Sequence, residues 1–504
     1  MNAPYAELCA RLREAATLYS VGNLLNWDQE TMMPPAAAPF RADELALIGR
    51  LAHERATTDE IGELLERCEA SVELCSDPRI AANLREIRRD YDRARKLSPD
   101  LVAEMSQCSS QALEVWKIAR ERSDFASFRP WLERQVELNR RKAECYGVPA
   151  DGELYDALVE DYEPGMTGRR LEAVFEPLRE DLTPLIAEIA AAGRAPGRGP
   201  LQVEIPIPIQ QAFNAEVLAA LGFDTRAGRL DVSIHPFSGG IAPHDTRITT
   251  RYRTTHFPEA LSSTLHEAGH GLYEQGLPKE EHWGEPLGES LGLGIHESQS
   301  RLWENQVGRS REFWIWALPL ARRVLGPPVA PFDVDDLFGA VNIVEPGLIR
   351  VESDEATYHL HVMLRFDIER ALLRGDLAVR DVPAAWNDRM KRDLGLDVPD
   401  DAHGCLQDIH WSMGSLGYFP TYTLGSLYAA QFWNAATREC PGLESGIVRG
   451  EFAPLLQWLR EKIHRRGRQL PADQLCETLT GEKLTHRPLM RHLRNKLEPL
   501  YGLS

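Results

Sequence analysis

One pattern covers most of the 504-residue chain: apolar side chains recur every three to four positions. This spacing is typical of amphipathic α-helices, and it runs through the first 190 residues, including 40–53 and 61–74. It resumes after a central interval, where further helices are predicted over roughly 261–275, 297–307, 348–373, 421–433 and 452–465. The sequence therefore predicts a mainly α fold.

The central interval is the only β-like part of the sequence. Val203, Ile205 and Ile207 alternate with Glu204 and prolines, which predicts an edge strand because proline cannot donate to a sheet ladder. Two more short strands are predicted at 230–234 and 246–252, joined through Gly239-Gly240. We expect a small sheet there, whose edge could pair with an extended peptide.

The loop 193–200 is the clearest break in the chain and is rich in glycine and proline. It separates a helical N-terminal part of about 1–195 from a second part of about 200–504. No internal repeat or low-complexity tract accompanies this break. The whole chain, 1–504, is therefore predicted to form a single domain with a deep groove.

Composition argues against several classes of protein. The net charge of −19 disfavours nucleic acid as a partner, since phosphates require a basic face. No apolar run reaches about 18 residues, so no membrane-spanning helix is predicted, and no secretory signal is visible at the N-terminus. The eight cysteines form no Cys-x-x-Cys pair and are expected to be buried free thiols in a reducing compartment. We expect a cytoplasmic protein.

The most specific motif is His-Glu-x-x-His, at His266, Glu267 and His270. Residues four apart lie on one helix face, so both imidazoles can reach one metal ion, while Glu267 can serve as general base toward a water. Eleven of the fifteen histidines lie between His235 and His410, which places the chemistry in that region. The pattern also arises by chance, so its surroundings must decide.

A catalytic zinc requires a third protein ligand. The metzincin arrangement would place glycine and histidine where Tyr273 and Gly276 stand, so that subclass is excluded. Glu289 and Glu297 are the alternatives, and either could instead be an ordinary solvated glutamate. Glu297 is preferred because it opens an amphipathic run, whereas Glu289 lies among glycines. Two glycines within the zinc helix indicate that another backbone packs closely against it.

The motifs around this helix follow a fixed order along most of the chain. They are Trp27–Pro34, His235–Phe237, Asp245–Thr249, His266–His270, His296–Gln299, Ile349–Asp354 and Gly404–Trp411. Together they resemble the carboxypeptidase Taq family of zinc metallocarboxypeptidases, with the small departure of Ser353, where alanine is common. The resemblance implies a mostly helical fold with a deep groove, a homodimer, and release of single C-terminal amino acids from peptides with broad specificity.

The resemblance also implies roles for individual residues. His266, His270 and Glu297 would be the metal ligands, and Glu267 the catalytic carboxylate. The expected metal is zinc, with cobalt as a possible substitute. Two other functions are compatible with the motif: an endo-acting zinc oligopeptidase, which would also cleave peptides with a blocked C-terminus, and a non-catalytic helical scaffold without bound metal.

Recognition of a free α-carboxylate calls for arginine, whose planar fork binds it bidentately. Arg350 is the candidate: it begins a predicted helix, and Asp354 one turn later could hold its guanidinium. The alternative is a structural ion pair on the helix surface. A second pair, Arg247 with Asp245, is interpreted as part of the groove wall.

Hydrolysis also requires a hydrogen-bond donor opposite the metal. His410, Tyr418 and Tyr422 lie in a stretch rich in glycine, tryptophan and tyrosine, 407–422, and are the candidate substrate-binding residues on that wall. The sequence does not choose among them. His235 is either structural or a substrate contact. The remaining histidines, including His359 and His361, are predicted to be core or helix residues.

Overall fold

Helices make up most of the structure, a computed structural model that describes residues 3–503. Before the sheet come α1 (Ala3–Thr31), α2 (Ala38–Ala56), α3 (Asp59–Glu69), α4 (Val72–Ser76), α5 (Pro78–Lys96), α6 (Pro99–Arg122), α7 (Phe125–Tyr146), α8 (Leu154–Val159), α9 (Gly168–Ala191), α10 (Gly199–Gln202) and α11 (Ile207–Leu221). After it come α12 (Phe257–Gly276), α13 (Leu293–Arg301), α14 (Arg311–Val324), α15 (Val334–Val341), α16 (Tyr358–Arg374), α17 (Val382–Leu394), α18 (Pro420–Glu439), α19 (Leu443–Val448), α20 (Ala453–Lys462), α21 (Ala472–Thr480) and α22 (Arg487–Tyr501). The predicted mainly α fold is confirmed.

The sheet has three strands: β1 (Gly228–Val232), β2 (Ser238–Ala242) and β3 (Asp245–Thr250). Strand β3 is central, parallel to β1 and antiparallel to β2. The two predicted strands are confirmed as β1 and β3. The prediction that Gly239-Gly240 is only a connection is wrong, because these glycines pair with β3 as part of β2.

The predicted edge strand over Val203–Ile207 is also wrong. The segment is a short extended link between α10 and α11, in which the buried Ile205 donates its N–H to the Thr254 carbonyl at 2.7 Å. The prolines decide the outcome: Pro206 and Pro208 flank the first residue of α11. Proline fits the first turn of a helix, where its missing N–H is not needed and its φ is already set.

One large hydrophobic cluster runs through most of the fold, from Ala112 to Tyr501. It includes Leu171 on α9 as well as Leu265 on α12, so helices on both sides of the loop at 193–200 share one core. A smaller cluster lies in the first 91 residues, between Tyr5 and Tyr91. These shared contacts make the molecule a single helical domain.

Helix α12 packs unusually close to its neighbours. A Cβ at Gly269 would stand 2.4 Å from the Gln299 carbonyl oxygen on α13, and one at Gly271 would stand 3.0 Å from Ile248 on β3. The helix therefore lies directly against α13 on one side and the sheet on the other. This confirms the backbone approach and the adjacent sheet predicted from the sequence.

Helix α13 continues as a π-helix over Leu302–Gly308, where a regular α-helix was expected. A π-helix inserts an extra residue into the turn and re-aims the side chains that follow, and such segments are frequent at functional sites. The side chains re-aimed here include that of Glu304.

The predicted burial of the cysteines is confirmed only in part. Five of the eight cysteines are buried as predicted, but Cys75 and Cys145 are exposed and Cys440 is half-buried. All eight are free thiols. Across residues 3–503, no helix combines the length and apolarity needed to cross a membrane.

Candidate metal centre

Helices α12 and α13 bring three potential ligand atoms together. One atom each of His266, His270 and Glu297 lies within 4.8 Å of the others. The Nε2 atoms of His266 and His270 lie 3.6 and 3.3 Å from Glu297 Oε2. Ligands bound tetrahedrally to zinc at about 2.0–2.1 Å would lie roughly 3.3–3.5 Å apart. The separations therefore fit one zinc-sized cation.

The charges around this group favour a cation as well. Burial would lower the pKa of His266, but the carboxylates of Glu297 and Glu304 outweigh it and raise that pKa to about 9. His270 behaves differently, because burial and His296 lower its pKa to about 4. The pKa of Glu297 lies below its usual range: burial opposes this, but Arg301 and the two histidines overcome it. Two imidazoles and a carboxylate form a ligand set typical of catalytic zinc.

Glu267, which is also on α12, lies beside the three potential ligand atoms and is 6% exposed. Its Oε2 is buried without a hydrogen-bond partner. Burial raises the pKa of this carboxyl to about 7. An unpaired carboxyl oxygen with such a pKa suits proton transfer near neutral pH.

Glu304, in the π-helix, supports His266 from behind. His266 Nδ1 lies 2.9 Å from Glu304 Oε2, and Ser262 donates to Oε1 at 3.0 Å. Arg301 and Arg309 donate to the same carboxylate at 3.3 and 3.2 Å. Glu304 was not predicted, because a regular α-helix was expected over 297–307 and the π-helix turns this side chain toward His266.

His270 is supported by a chain of side chains instead. Its Nδ1 lies 2.5 Å from His296 Nδ1, and His296 Nε2 lies 2.8 Å from Glu274 Oε1. Glu274 is paired with Lys279, whose ammonium also reaches the Gly240 carbonyl on β2 at 3.4 Å. If His270 binds metal through Nε2, its Nδ1–H donates to His296, and His296 Nε2–H donates to Glu274. We call these residues the relay; the sequence did not predict it.

The alternative ligand Glu289 does not join the group. It is half-buried, and burial raises the pKa of its carboxyl, an effect that the charge of Lys279 opposes. Glu297 Oε2 lies 3.6 and 3.3 Å from the two imidazoles, so of the two glutamates that the sequence left open, Glu297 is the one that joins the group.

Arg350 is buried, but its predicted surroundings are wrong. It lies in a short 3-10 helix, Arg350–Glu352, and its Nε and Nη2 donate to Asp408 Oδ1 at 3.0 and 2.7 Å. Asp354 instead accepts the backbone N–H groups of Ala356 and Thr357 and so shapes the turn before α16. Asp408 takes this place because the fold puts it next to Arg350, and Arg365 on α16 binds its other oxygen.

Arg247 forms the predicted pair with Asp245, with Nε–Oδ1 at 2.7 Å. Its guanidinium lies 4.5 Å from the centre of the Trp27 ring, and that of Arg229 lies 5.1 Å from it. The predicted break after Trp27 begins later than expected, because α1 continues to Thr31. The first and third motifs of the chain thus meet at the sheet.

His410, Tyr418 and Tyr422 form one aromatic cluster. The Tyr422 hydroxyl lies 3.2 Å from His410 Nε2, and burial lowers the pKa of His410 to about 3, so its imidazole is neutral. Burial and then the charge of Glu297 raise the pKa of Tyr418. Tyr422 lies on α18, which packs directly against Glu297, since a Cβ at Gly425 on this helix would stand 2.3 Å from Glu297 Cγ.

His235 is not part of this arrangement. It lies on the loop between β1 and β2, is exposed, and its imidazole forms no hydrogen bond with any residue in 3–503. His359 and His361 are 1% and 0% exposed on α16. Their burial agrees with the core positions predicted for them.

Comparison with known proteins agrees with this geometry. The family described as carboxypeptidase Taq (M32) metallopeptidase matches residues 7–497. Thermostable carboxypeptidase 1 of Thermus thermophilus is 46% identical over 510 residues, 99% of each chain. The protein of the same name from Pyrococcus furiosus is 37% identical over 499 residues, 98% of each chain.

Solved structures agree with the sequence relatives. The M32 carboxypeptidase from Deinococcus radiodurans R1 is 39% identical, with a TM-score of 0.96 over 99% of this chain and 100% of that one. The resemblance first seen in the ordered motifs is confirmed. The chain belongs to the carboxypeptidase Taq (M32) metallopeptidases and is a metallocarboxypeptidase, a hydrolase.

Proposed function

We propose that the enzyme is zinc-dependent and removes single amino acids from the free C-terminus of peptides, with broad side-chain tolerance. The observation that carries this proposal is the convergence of His266, His270 and Glu297 beside the unpartnered oxygen of Glu267. His266, His270 and Glu297 would hold the metal. A bound zinc would supply Lewis acidity toward the scissile carbonyl and toward a water. Cobalt is expected to substitute, because first-row ions share such ligand sets.

Glu267 is proposed as the group that moves protons. Its unpaired Oε2 would take a proton from the attacking water and return it to the nitrogen of the leaving amino acid. No neighbouring hydrogen bond holds that oxygen. Its pKa of about 7 allows it to act first as base and then as acid.

Arg350 is proposed to hold the C-terminal carboxylate of the peptide. Three of its five N–H groups are used, two by Asp408 and one by the Tyr358 hydroxyl, which leaves one on each terminal nitrogen. Asp408 is shared with Arg365, so the three groups keep a net positive charge. Two free donors and unbalanced charge suit a carboxylate ligand.

Tyr418 is proposed as the donor to the developing oxyanion. Tyr422 already interacts with His410 through its hydroxyl, and the ring of the neutral His410 lies 4.3 Å from that of Phe419. Burial and then the charge of Glu297 raise the pKa of Tyr418, so its hydroxyl keeps the proton that a donor needs. His410 and Tyr422 would then shape the wall around Tyr418, and His235 would contact substrate only at the rim of the groove.

The remaining parts of the proposal rest on the family resemblance and on composition. We propose a homodimer, because the resemblance implies one, and light scattering during gel filtration would test it. A cytoplasmic location agrees with eight free thiols, which are typical of a reducing compartment.

A time course of amino-acid release from a defined peptide tests the function. We expect sequential release from the free-acid peptide, no cleavage of its C-terminally amidated twin, loss of activity with chelator and recovery with zinc. Internal cleavage of the amidated peptide would favour an endo-acting oligopeptidase. Absence of both bound zinc and turnover would favour a non-catalytic scaffold.

Glu267→Gln tests the proton-transfer role. The variant should bind zinc normally but lose about 10²–10⁴-fold in kcat, the range for removal of a catalytic acid–base group. Metal analysis and steady-state kinetics give the two readouts. Normal turnover in this variant would contradict the assignment.

A further inference from the structure

Helix α13, which carries Glu297, receives its N-terminal contacts from a distant part of the chain. Its N-cap residue Gly292 has no side chain to cap it. The Leu293 N–H donates instead to the Tyr162 carbonyl at 2.9 Å, and the Gly294 N–H donates to Glu163 Oε2 at 2.8 Å. Tyr162 and Glu163 lie in the turn between α8 and α9, about 130 residues earlier.

The fit between this turn and the helix start is close. A Cβ at Gly294 would stand 2.8 Å from Glu163 Oε2, and one at Gly292, where φ is +89°, would stand 3.1 Å from the same oxygen. Any side chain at Gly294 would therefore push the carboxyl away. Glycine at both positions makes room for Glu163.

The burial of the Glu163 carboxyl is energetically unfavourable. It is 1% exposed, and its Oε1 is buried without a hydrogen-bond partner. Burial raises the pKa of its carboxyl to about 8. Buried polar atoms without partners are rare in proteins and often accompany function.

The same turn also reaches the opposite wall of the site. The ring of Tyr162 packs edge-on against Tyr418 at 5.2 Å. Two adjacent residues thus contact both the helix of Glu297 and the proposed oxyanion donor. A shift of this turn would move both together.

We propose that Glu163 is a positioning residue for Glu297: its carboxyl fixes the start of α13 and thereby the position of Glu297 relative to the two histidines of α12. The inference rests on the proposed role of Glu297 as a metal ligand. A negative or polar acceptor at a helix N-terminus satisfies the free N–H groups of the first turn. Glu297 lies one turn further along, so it moves with that end of the helix.

The test uses the zinc dissociation constant of the full-length enzyme, measured by competition with a chelator of known affinity. Glu163→Ala should weaken zinc binding about 10–100-fold, as expected when support for a ligand is removed, with kcat lowered more than KM is raised. Glu163→Gln should restore affinity to within a few-fold, because its amide oxygen still accepts from the Gly294 N–H.

Gly294→Ala gives an independent arm. Alanine favours helix more than glycine does, so this variant should not weaken α13 itself, yet its methyl group displaces the Glu163 carboxyl. We expect it to weaken zinc binding as Glu163→Ala does, and it decides the matter if Glu163→Ala fails to fold. Parent-like zinc affinity in folded Glu163→Ala or in Gly294→Ala, or no recovery in Glu163→Gln, would overturn the proposal.

Glu297→Gln separates this inference from the proposed function. If that variant binds zinc as tightly as the parent, the ligand assignment itself fails. If it loses zinc while Glu163→Ala keeps it, only the positioning role fails.

Discussion

The two histidines of α12 are one turn apart but are held in different ways. His266 faces the carboxylate of Glu304 directly, which helps to raise its pKa to about 9. His270 faces another imidazole, that of His296, and burial and then His296 lower its pKa to about 4. A direct carboxylate makes an imidazole more basic and fixes its orientation, whereas an intervening imidazole fixes the orientation without supplying negative charge.

The anchoring of the two supports differs as well. Glu304 accepts from Ser262, Arg301 and Arg309 in addition to facing His266, so its position is set by α12, α13 and the π-helix. The relay behind His270 ends at Lys279 and the carbonyl of Gly240 on the sheet. His266 is therefore held within the pair of helices α12 and α13, whereas His270 is connected through the relay to β2.

Among these substitutions, removal of Glu304 should reduce zinc affinity the most. Glu304→Ala leaves His266 and Arg309 without their carboxylate partner, while Arg301 keeps Glu297. We expect zinc affinity to fall toward the upper end of the range of about 10–100-fold seen for such partners. Chelator competition measures it, with Glu281→Gln on the exposed surface as a control. Unchanged affinity would mean that Glu304 does not support the ligand.

The pH dependence of metal binding should distinguish the support of His266 from that of His270. A proton on His266 competes with metal below its pKa of about 9, so the zinc affinity of the parent should rise by up to about tenfold per pH unit from near pH 6.5 to near pH 9. In Glu304→Gln the pKa of His266 falls, and this rise should end at a lower pH. The profile of the parent would remain if His266 titrated independently of Glu304.

His296→Ala tests the relay. His270 loses its hydrogen-bond partner, but Glu274 keeps Lys279, so no buried charge is left alone. We expect zinc affinity to fall about tenfold, the lower end of the same range, with the pH profile unaltered. A loss larger than that of Glu304→Ala would reverse the ranking of the two supports.

The sequence predicted the centre of this site better than its surroundings. His266, Glu267 and His270 lie on one helix, so their spacing alone places them on a common face. The preference for Glu297 also used local pattern, and the structure brings it to both imidazoles. Their roles as ligands and base remain proposals that the experiments above test.

The surroundings depend on contacts between distant segments, which spacing cannot reveal. Asp408, 58 residues from Arg350, replaces the predicted partner Asp354 because the fold brings it within 2.7 Å of the guanidinium. Glu304 needed the π-helix to face His266. The strand predicted at 203–207 failed for a local reason instead, since proline at the start of α11 is also a helix signal.

The smallest effect is expected for a double substitution at the end of the relay. It tests whether the relay requires the negative charge of Glu274. Glu274→Gln with Lys279→Met removes the buried pair together, while the glutamine oxygen still accepts from His296 Nε2. Replacing both partners of a buried ion pair is often neutral or stabilising. We therefore expect zinc affinity within a few-fold of the parent and an unchanged or higher Tm.

Glu274→Gln alone is the matched control for this double variant. It leaves the buried ammonium of Lys279 without its paired carboxylate, which should cost about 3–5 kcal/mol in the free energy of unfolding. The relay would need only an acceptor if the double variant binds zinc like the parent. If the double variant loses as much zinc affinity as His296→Ala, the negative charge of Glu274 acts on His270 through His296. His266 and His270 would then both depend on a carboxylate, one in direct contact and the other through an imidazole.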